Sequence, residues 1–318
     1  MTNNNAPLDA LPHAERIRSR KLVDGVATII ADATGLGADE RAALEDELRV
    51  SALAQAGVKE ARIALTASTP KRTVIAIGSG KGGVGKSTVS SNIAIALARS
   101  GKKVGLIDAD VYGPSQPTLM GNMTKPSAAN DQLIPVEAHG LRFLSLGHIV
   151  SPGQALAWRG PMATGALARL LDADWGDCEI LVVDLPPGTG DVQISLIQKS
   201  RPDGAVIVST SQDLSLIDAE RAVDLFNRTQ VPVLGLIENM AGYICPHCGG
   251  ESDPFGSGGG EAGAERMHIP FLGRLPLSLA IRTASDAGRP PALGDDADGT
   301  AFTAIAKRVI EALEKVRS

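Results

Sequence analysis

The sequence predicts a doubly wound α/β fold with a mainly parallel central sheet, preceded by a small N-terminal α+β module. From Thr73 onward, short apolar runs rich in β-branched residues alternate with helical segments. Such runs are typical of parallel strands that helices cover on both faces. In addition, the first run ends in a glycine-rich loop that opens a helix, which is the strand-turn-helix order of such a fold.

The elements of this domain, residues 71–318, follow from the same pattern. Its predicted strands are TVIAI, KVGLID, LRFLSL, EILVVDL, GAVIVST, VLGLIEN and FLGRLP. KSTVSSNIAIALARS is predicted to be a helix closed by Gly101. The C-terminal AFTAIAKRVIEALEKVRS places its apolar residues on one stripe and is predicted to dock on the sheet.

The N-terminal part has a different composition. Residues 1–23 are polar without a sustained period and are predicted to be a flexible tail. Residues 24–70 combine an apolar β-rich stretch, a helical stretch rich in Ala, Leu and Glu, and a further strand. They are predicted to form the α+β module.

The composition narrows the classes of function. The 318 residues carry a net charge of -5 and only 3% aromatic residues, which argues against binding to nucleic acid or to an anionic membrane. The N-terminus lacks an apolar signal sequence and no run is long enough to span a membrane, so we expect a cytoplasmic protein. In a reducing compartment the three cysteines favour metal or redox chemistry over a disulfide framework.

The loop GSGKGGVGKST contains the phosphate-loop pattern G-x-x-x-x-G-K-[ST]. Its backbone N–H groups and the following helix N-terminus are suited to phosphate, which predicts ATP with Mg²⁺ as ligands. Lys86 is expected to reach the β- and γ-phosphates and Ser87 to bind magnesium. The residues predicted to surround the nucleotide here are Gly80, Lys81, Gly82, Gly83, Val84, Gly85, Lys86, Ser87 and Thr88.

Three acidic residues end predicted strands. Asp108 and Asp110 lie in VGLIDADVYGPS, and Asp184 precedes a candidate switch loop in ILVVDLPPGTGD. Because parallel strands end at one edge of a sheet, these carboxylates are expected to face magnesium and the attacking water. Asp184 is predicted to contact the groups that bind magnesium rather than to bind the ion itself.

Cys245 and Cys248 form a C-x-x-C pair in MAGYICPHCGGES. The pair lacks the βαβ setting of a thioredoxin-type dithiol, and a zinc site needs four ligands. His247 lies badly placed between the cysteines, and no second C-x-x-C exists in the chain. In a symmetric dimer, two pairs would supply four thiolates for either a [4Fe-4S] cluster or zinc. Cys178 is predicted to be a small buried hydrophobe.

The form K-G-G-x-G-K-[ST], with Lys81 inside the loop, resembles the deviant phosphate-loop ATPases of the MinD/ParA class, in which this lysine reaches the partner's nucleotide. Over roughly residues 73–318, LIDADVYGPSQPTLMG, DLPPGTGD, STSQDLSLIDAERAVDLF and ENMAGYICPHCG resemble the Mrp/ApbC family of iron-sulfur cluster carrier ATPases. Residues before Lys71 resemble a shortened iron-sulfur assembly domain.

The resemblance implies a homodimer with a bridging [4Fe-4S] cluster on Cys245 and Cys248 of each protomer, and slow ATP hydrolysis linked to cluster loading or transfer. Its implied partners are apo iron-sulfur proteins and cluster-donor scaffolds. Lys81 and Lys86 would be catalytic, Asp110 would activate water, and Asn239 and Pro276 would contact adenine. A positioning ATPase of the MinD/ParA type and a zinc-stapled dimeric scaffold remain as alternatives.

Overall fold

The computed structural model describes residues 8–66, 72–129, 132–149, 160–245 and 247–318. The chain divides into two compact units, Met1–Lys71 and Arg72–Ser318. In the part of the chain that is described, no helix is both long and apolar enough to cross a membrane.

Among its described residues, the first unit has a three-stranded sheet, one α-helix and the 3-10 helix Ala14–Arg16. Its elements are β1 (Ile17–Val23), β2 (Val26–Asp32), α1 (Ala38–Leu53) and β3 (Glu60–Thr66). Strand β2 pairs antiparallel with β1 and parallel with β3. Alternate residues of β2 are buried with apolar residues of α1 such as Leu44 and Leu48, because successive strand residues point to opposite faces.

The prediction of a flexible tail over residues 1–23 is wrong for Ile17–Val23, which form strand β1. Leu8 and Leu11 are also buried in the core of this unit. The basic stretch RIRSRK hides the strand in the sequence, since its apolar positions are few and a β-bulge interrupts their alternation. The strand therefore depends on its pairing with β2, which the composition does not indicate.

The second unit contains twelve strands and nine helices among its described residues. The strands are β4 (Thr73–Gly78), β5 (Val104–Asp108), β6 (Ser127–Ala129), β7 (Gln132–Ile134), β8 (Val136–Ala138), β9 (Leu141–Ser145), β10 (Ile180–Asp184), β11 (Gly204–Ser209), β12 (Val233–Glu238), β13 (Tyr243–Ile244), β14 (Glu251–Ser252) and β15 (Phe271–Arg274). The helices are α2 (Lys86–Arg99), α3 (Gln116–Leu119), α4 (Leu146–Ile149), α5 (Gly160–Leu171), α6 (Asp191–Ser200), α7 (Asp213–Arg228), α8 (Gly259–Arg266), α9 (Leu279–Asp286) and α10 (Ala297–Arg317).

Within the described part of this unit, eight strands form the main sheet in the order β15-β12-β11-β4-β10-β5-β9-β8. All neighbours are parallel except β8 and β9. The predicted fold class is therefore confirmed, and each predicted strand of the ATPase domain is present. The order places β4, β10 and β5 side by side, so the loops that follow these three strands meet at one edge of the sheet.

The sheet has a hydrophobic core on each face. Ile75 and Ile77 of β4 pack in one core together with residues of α2 and α10, such as Phe302. Val74 and Ala76 of the same strand belong to the other core, which includes Phe226 of α7. Burial on both faces explains the continuous apolar runs in the sequence, and it holds the carboxyl ends of the strands in fixed positions.

Candidate functional site

The loop between β4 and α2 has a backbone that requires glycine. Gly83 and Gly85 have φ values of 82° and 80°, a region that residues with a Cβ rarely adopt. At Gly80 a Cβ would lie 1.9 Å from the main-chain oxygen of Asp218. Glycine at these positions therefore allows the loop to curve at the N-terminus of α2 while it packs closely against α7.

A cleft of about 250 Å³ lies over this loop. Its walls come from the loop, from the segment after β5 and from the switch loop after β10. The lining residues are Ser79, Lys81, Gly82, Gly83, Gly85, Lys86, Ser87, Thr88, Asp110, Ser115, Leu119 and Pro187. The cleft thus brings together most of the residues that the sequence predicts for the nucleotide. Val84 is buried beneath it.

Lys86 is a buried cation among carboxylates. Its Nζ lies 2.5 Å from Asp184 Oδ1 and 3.8 Å from Asp110 Oδ2, and it also donates to Ser87 Oγ at 3.3 Å. Only 6% of the Lys86 side chain is exposed, so these partners compensate a charge that burial would otherwise penalise. A phosphate that binds in the cleft must compete with Asp184 for this ammonium group.

Asp184 is fully buried and accepts three hydrogen bonds. Its Oδ1 accepts from Lys86 and from Ser90 Oγ, the latter at 2.9 Å, while its Oδ2 accepts from Gln116 Nε2 at 3.0 Å. The carboxylate is therefore held from the phosphate-loop helix on one side and from α3 on the other.

Asp108 and Asp110 have different surroundings although the sequence presents them as a pair. Asp108 is fully buried, and its Oδ2 accepts from Ser145 Oγ at 2.8 Å and from the backbone N–H of Gln116 at 3.1 Å. Burial, reinforced by the neighbouring Asp184 charge, raises the pKa of Asp108 to about 7. Asp108 is not among the residues that line the cleft, so its position favours organising the segment that follows β5.

Asp110 lines the cleft. Its Oδ1 accepts the backbone N–H groups of Tyr112 and Gly113 at 3.1 and 3.2 Å. Burial raises the pKa of the Asp110 carboxyl, while the Lys86 ammonium opposes that rise. A carboxylate with a raised pKa that faces a phosphate cleft has the properties of a general base for water.

Asn239 follows β12 and reaches the phosphate loop. Its Nδ2 donates to the main-chain oxygen of Val84 at 2.8 Å, and the side chain is nearly buried. Pro276 is half-buried after β15 and is not among the cleft-lining residues. Their contacts with adenine stay predictions. What the structure adds is a support from Asn239 to the loop itself.

The C-x-x-C pair occupies the turn of a short hairpin. Strands β13 and β14 pair antiparallel, Cys245 N–H donates to Gly250 O at 2.9 Å, and Gly249 N–H donates to Cys245 O at 2.8 Å. Cys245 is half-buried and Cys248 is exposed. The hairpin therefore presents two neighbouring thiols at the surface of the unit.

The surroundings of Cys245 favour its thiolate. The backbone N–H groups of His247 and Cys248 donate to its sulfur and lower the pKa of Cys245. A hydrogen bond from the Cys248 thiol lowers this pKa by a smaller amount. Among the described residues, no three Cys, His, Asp or Glu side chains are grouped to hold a metal ion. One chain thus offers two thiol ligands, and His247 is exposed beside them.

Cys178 is far less accessible. It is buried in the hydrophobic core on one face of the sheet, as the sequence predicts, and burial raises the pKa of its thiol. The residues that sequence reasoning missed are Ser90, Gln116 and Ser145, which hold the acidic residues in place. Gln116 follows the acidic pair within DADVYGPSQPTL, but its burial and its contacts are visible only in the structure.

The fold and this loop define a P-loop nucleoside triphosphatase of the ParA type. The ParA family model described as the NUBPL iron-transfer P-loop NTPase matches residues 71–311. The chain belongs to this family, and the predicted P-loop NTPase class is confirmed.

Individual relatives agree with this assignment. An iron-sulfur cluster carrier protein of Deinococcus radiodurans is 43% identical over 289 residues, covering 87% of this chain and 82% of the relative. An Arabidopsis thaliana mitochondrial iron-sulfur protein required for NADH dehydrogenase is 45% identical over 251 residues, 77% of this chain and 80% of that protein. The resemblance to the iron-sulfur cluster carriers is thereby confirmed at the level of the family.

A solved structure is also similar. A nucleotide-binding protein of Archaeoglobus fulgidus, in complex with ADP, matches with a TM-score of 0.62 and 37% sequence identity. The match covers 73% of this chain and 91% of that protein.

Proposed function

We propose that this protein is a homodimeric ATPase that assembles a bridging [4Fe-4S] cluster on Cys245 and Cys248 of both protomers and transfers it to apo-proteins. The observation that carries the proposal is the hairpin with two adjacent, accessible thiols and no third protein ligand grouped with them among the described residues. Two such hairpins supply the four thiolates that a [4Fe-4S] cluster takes.

The nucleotide site supports ATP hydrolysis with Mg²⁺. Ser87 lines the cleft and offers a hydroxyl oxygen, and the Asp110 carboxylate lies in the same cleft; magnesium prefers such oxygen ligands. They also lie next to the phosphate loop, so the residues fit the ion. When bound, Mg²⁺ would neutralise charge on the phosphate oxygens. Ser87 would bind the ion, and Asp184 would contact the groups around the ion without binding it directly.

The remaining residues have distinct tasks. The loop N–H groups would bind the phosphates. The ammonium group of Lys86 would leave its ion pair with Asp184 and bind a phosphate oxygen instead. Asp110 would accept the proton of the attacking water. Lys81, which lies half-buried at the cleft, would complete the partner's site in the dimer, as in the MinD/ParA class that it resembles.

The cluster is cargo in this proposal, not a permanent cofactor. The lowered pKa of Cys245 favours the thiolate that binds iron. The exposure of Cys248 leaves the cluster within reach of apo iron-sulfur proteins and of a cluster-donor scaffold. A reducing cytoplasm, which keeps both thiols free, is the compartment we propose.

Anaerobic reconstitution with iron and sulfide tests the proposal. Iron, sulfide and zinc are to be quantified and Mössbauer spectra recorded for the wild type and for Cys245→Ala/Cys248→Ala. Cys178→Ala is the matched control, since that cysteine is buried in the core. We expect about four irons and four sulfides per dimer, lost in the double variant and kept in the control.

Other outcomes would identify the alternatives. Stoichiometric zinc in place of iron would make the hairpins a zinc staple. A dimer that takes up no metal would favour the positioning ATPase, for which sedimentation with liposomes or DNA is the next assay.

A further inference from the structure

Gln116 is a buried polar residue that the proposed mechanism has not used. It begins the short helix α3 and is fully inaccessible to solvent. A long amide side chain in this position needs partners, because burying it without hydrogen bonds is unfavourable.

The amide links the end of β10 to the first turn of α2. Gln116 Nε2 donates to Asp184 Oδ2 at 3.0 Å and to the main-chain oxygen of Ser87 at 2.9 Å. Both partners are acceptors, so the nitrogen must face them and the orientation of the amide is fixed. One side chain thus sets the separation between the end of β10 and the first turn of α2.

The backbone of Gln116 provides a third link. Its N–H donates to Asp108 Oδ2 at 3.1 Å, and Asp110 N–H donates to Asp108 Oδ1 at 3.2 Å. The segment that carries Asp110 is therefore connected through Gln116 to Asp184 and Ser87. Gln116 thus connects the segments that carry the three acidic residues to the phosphate-loop helix.

The oxygen of the amide, unlike its nitrogen, has no such partner in the described part of the chain. Among the described residues Gln116 Oε1 is buried without a hydrogen-bond partner. An unpaired buried acceptor is costly. It is suited to a donor that arrives with the ligand, and the water shell that Mg²⁺ usually keeps consists of such donors.

We propose that Gln116 is a positioning residue for magnesium: it holds Ser87 and Asp184 in the geometry that binds the ion. It acts through these residues and does not touch the phosphates. The proposal rests on the proposed use of Mg-ATP at this site. Its specific consequence is that loss of the amide weakens Mg²⁺ binding and leaves nucleotide binding in the absence of metal unchanged.

The test compares Gln116→Met, which keeps side-chain length without the amide, with Gln132→Met. Gln132 donates its Nε2 to a main-chain oxygen as well, but on the exposed surface. Binding of a fluorescent ADP is to be measured in EDTA and then titrated with Mg²⁺. Electron paramagnetic resonance of bound Mn²⁺ provides a readout that does not depend on hydrolysis.

We expect Gln116→Met to raise the Mg²⁺ and Mn²⁺ concentrations for half-saturation roughly 10–100-fold, the usual effect of losing a residue that orients metal ligands. ADP binding in EDTA should change by no more than about twofold. A defect in the structure of the loop would instead weaken ADP binding in EDTA as well. Gln132→Met should match the wild type. Unchanged metal half-saturation, or an equal loss of ADP binding in EDTA, would overturn the proposal.

A second variant covers the case in which Gln116→Met fails to fold. Gln116→Glu keeps the shape but turns an oxygen toward Asp184, and we expect it to weaken Mn²⁺ binding more than Gln116→Met. Normal Mn²⁺ binding by a folded Gln116→Glu protein would also overturn the proposal. If the wild type itself binds no Mg-nucleotide, the proposed function fails instead, and the two failures are thereby distinguished.

Discussion

The side chain of Asn239 donates from Nδ2 to the main-chain oxygen of Val84 at 2.8 Å. This bond joins the end of β12 to the phosphate loop. The chain continues from Asn239 into the hairpin that carries Cys245 and Cys248. The segment that follows β12 therefore both contacts the phosphate loop and carries the thiols.

Asn239→Ala removes this support from the loop. We expect nucleotide binding to weaken by about 1 kcal/mol, roughly fivefold, the usual net value of one such bond. Isothermal titration with ADP measures the change. Asn122→Ala is the matched control, because Asn122 also donates Nδ2 to a main-chain oxygen but at an exposed site. Equal effects of the two substitutions would contradict the role given to Asn239.

The glycines of the loop offer a second matched pair. In Gly80→Ala the new Cβ would lie 1.9 Å from Asp218 O, whereas in Gly82→Ala the nearest neighbour of the Cβ is Pro187 Cγ at 3.8 Å. We expect Gly80→Ala to lower the free energy of unfolding by about 1–3 kcal/mol and to abolish ADP binding. Gly82→Ala should unfold like the wild type in the same denaturant titration. Wild-type stability of Gly80→Ala would show that the loop adapts to the extra methyl group.

Strand β8, a three-residue strand at the edge of the main sheet that is only partly buried, is not predicted. The sequence predicts the other seven strands, because most of them are buried on both faces and read as nearly continuous apolar runs. It also predicts the phosphate loop, since that loop's backbone conformation requires glycines at fixed spacing. Strand β1 is missed because its basic residues lie among few apolar ones, and only pairing with β2 makes it a strand.

Within the site, the positions of Asp108 and Asp110 at the end of a strand do not by themselves separate the two residues; only the family resemblance gives them different roles. Their difference depends on Ser145 and Gln116, which approach Asp108 from other parts of the fold. Hydrogen bonds between distant segments leave no periodic pattern in the chain, so the role of Gln116 emerges only from the structure.

Lys86→Ala tests whether the nucleotide and cluster sites are separate. The substitution removes the cation that compensates Asp184 and Asp110, and we expect ATP hydrolysis to fall below detection. Cluster assembly in vitro should persist, because the thiols lie on the hairpin of β13 and β14 whereas Lys86 begins α2. Phosphate release and iron content are the two measurements.

Lys307→Ala is the control for this substitution, since Lys307 is largely exposed on α10. It should retain both hydrolysis and cluster assembly. If Lys86→Ala lost hydrolysis and iron to the same extent, the two sites would have to be regarded as one functional unit.

The raised pKa of Asp108 predicts a pH dependence of stability. Burial raises the pKa of its carboxyl from the ordinary 3.8 to about 7 in the folded protein, so the folded protein holds a proton that the unfolded chain has released between these pH values. The folded state binds more protons, and the free energy of unfolding therefore falls as the pH rises through this window, by at most about 1.4 kcal/mol per pH unit. Asp108→Asn should reduce this slope because Asn does not titrate.

Denaturant unfolding of the nucleotide-free protein at pH 5 and pH 7.5 measures this effect. Tryptophan fluorescence reports on the ATPase unit, since Trp158 and Trp175 both lie within residues 72–318. Asp224→Asn, on the exposed face of α7, should keep the wild-type slope. A wild-type slope in Asp108→Asn would mean that another group takes up the proton, and the nearby Asp110, whose pKa burial also raises, would be the next residue to substitute.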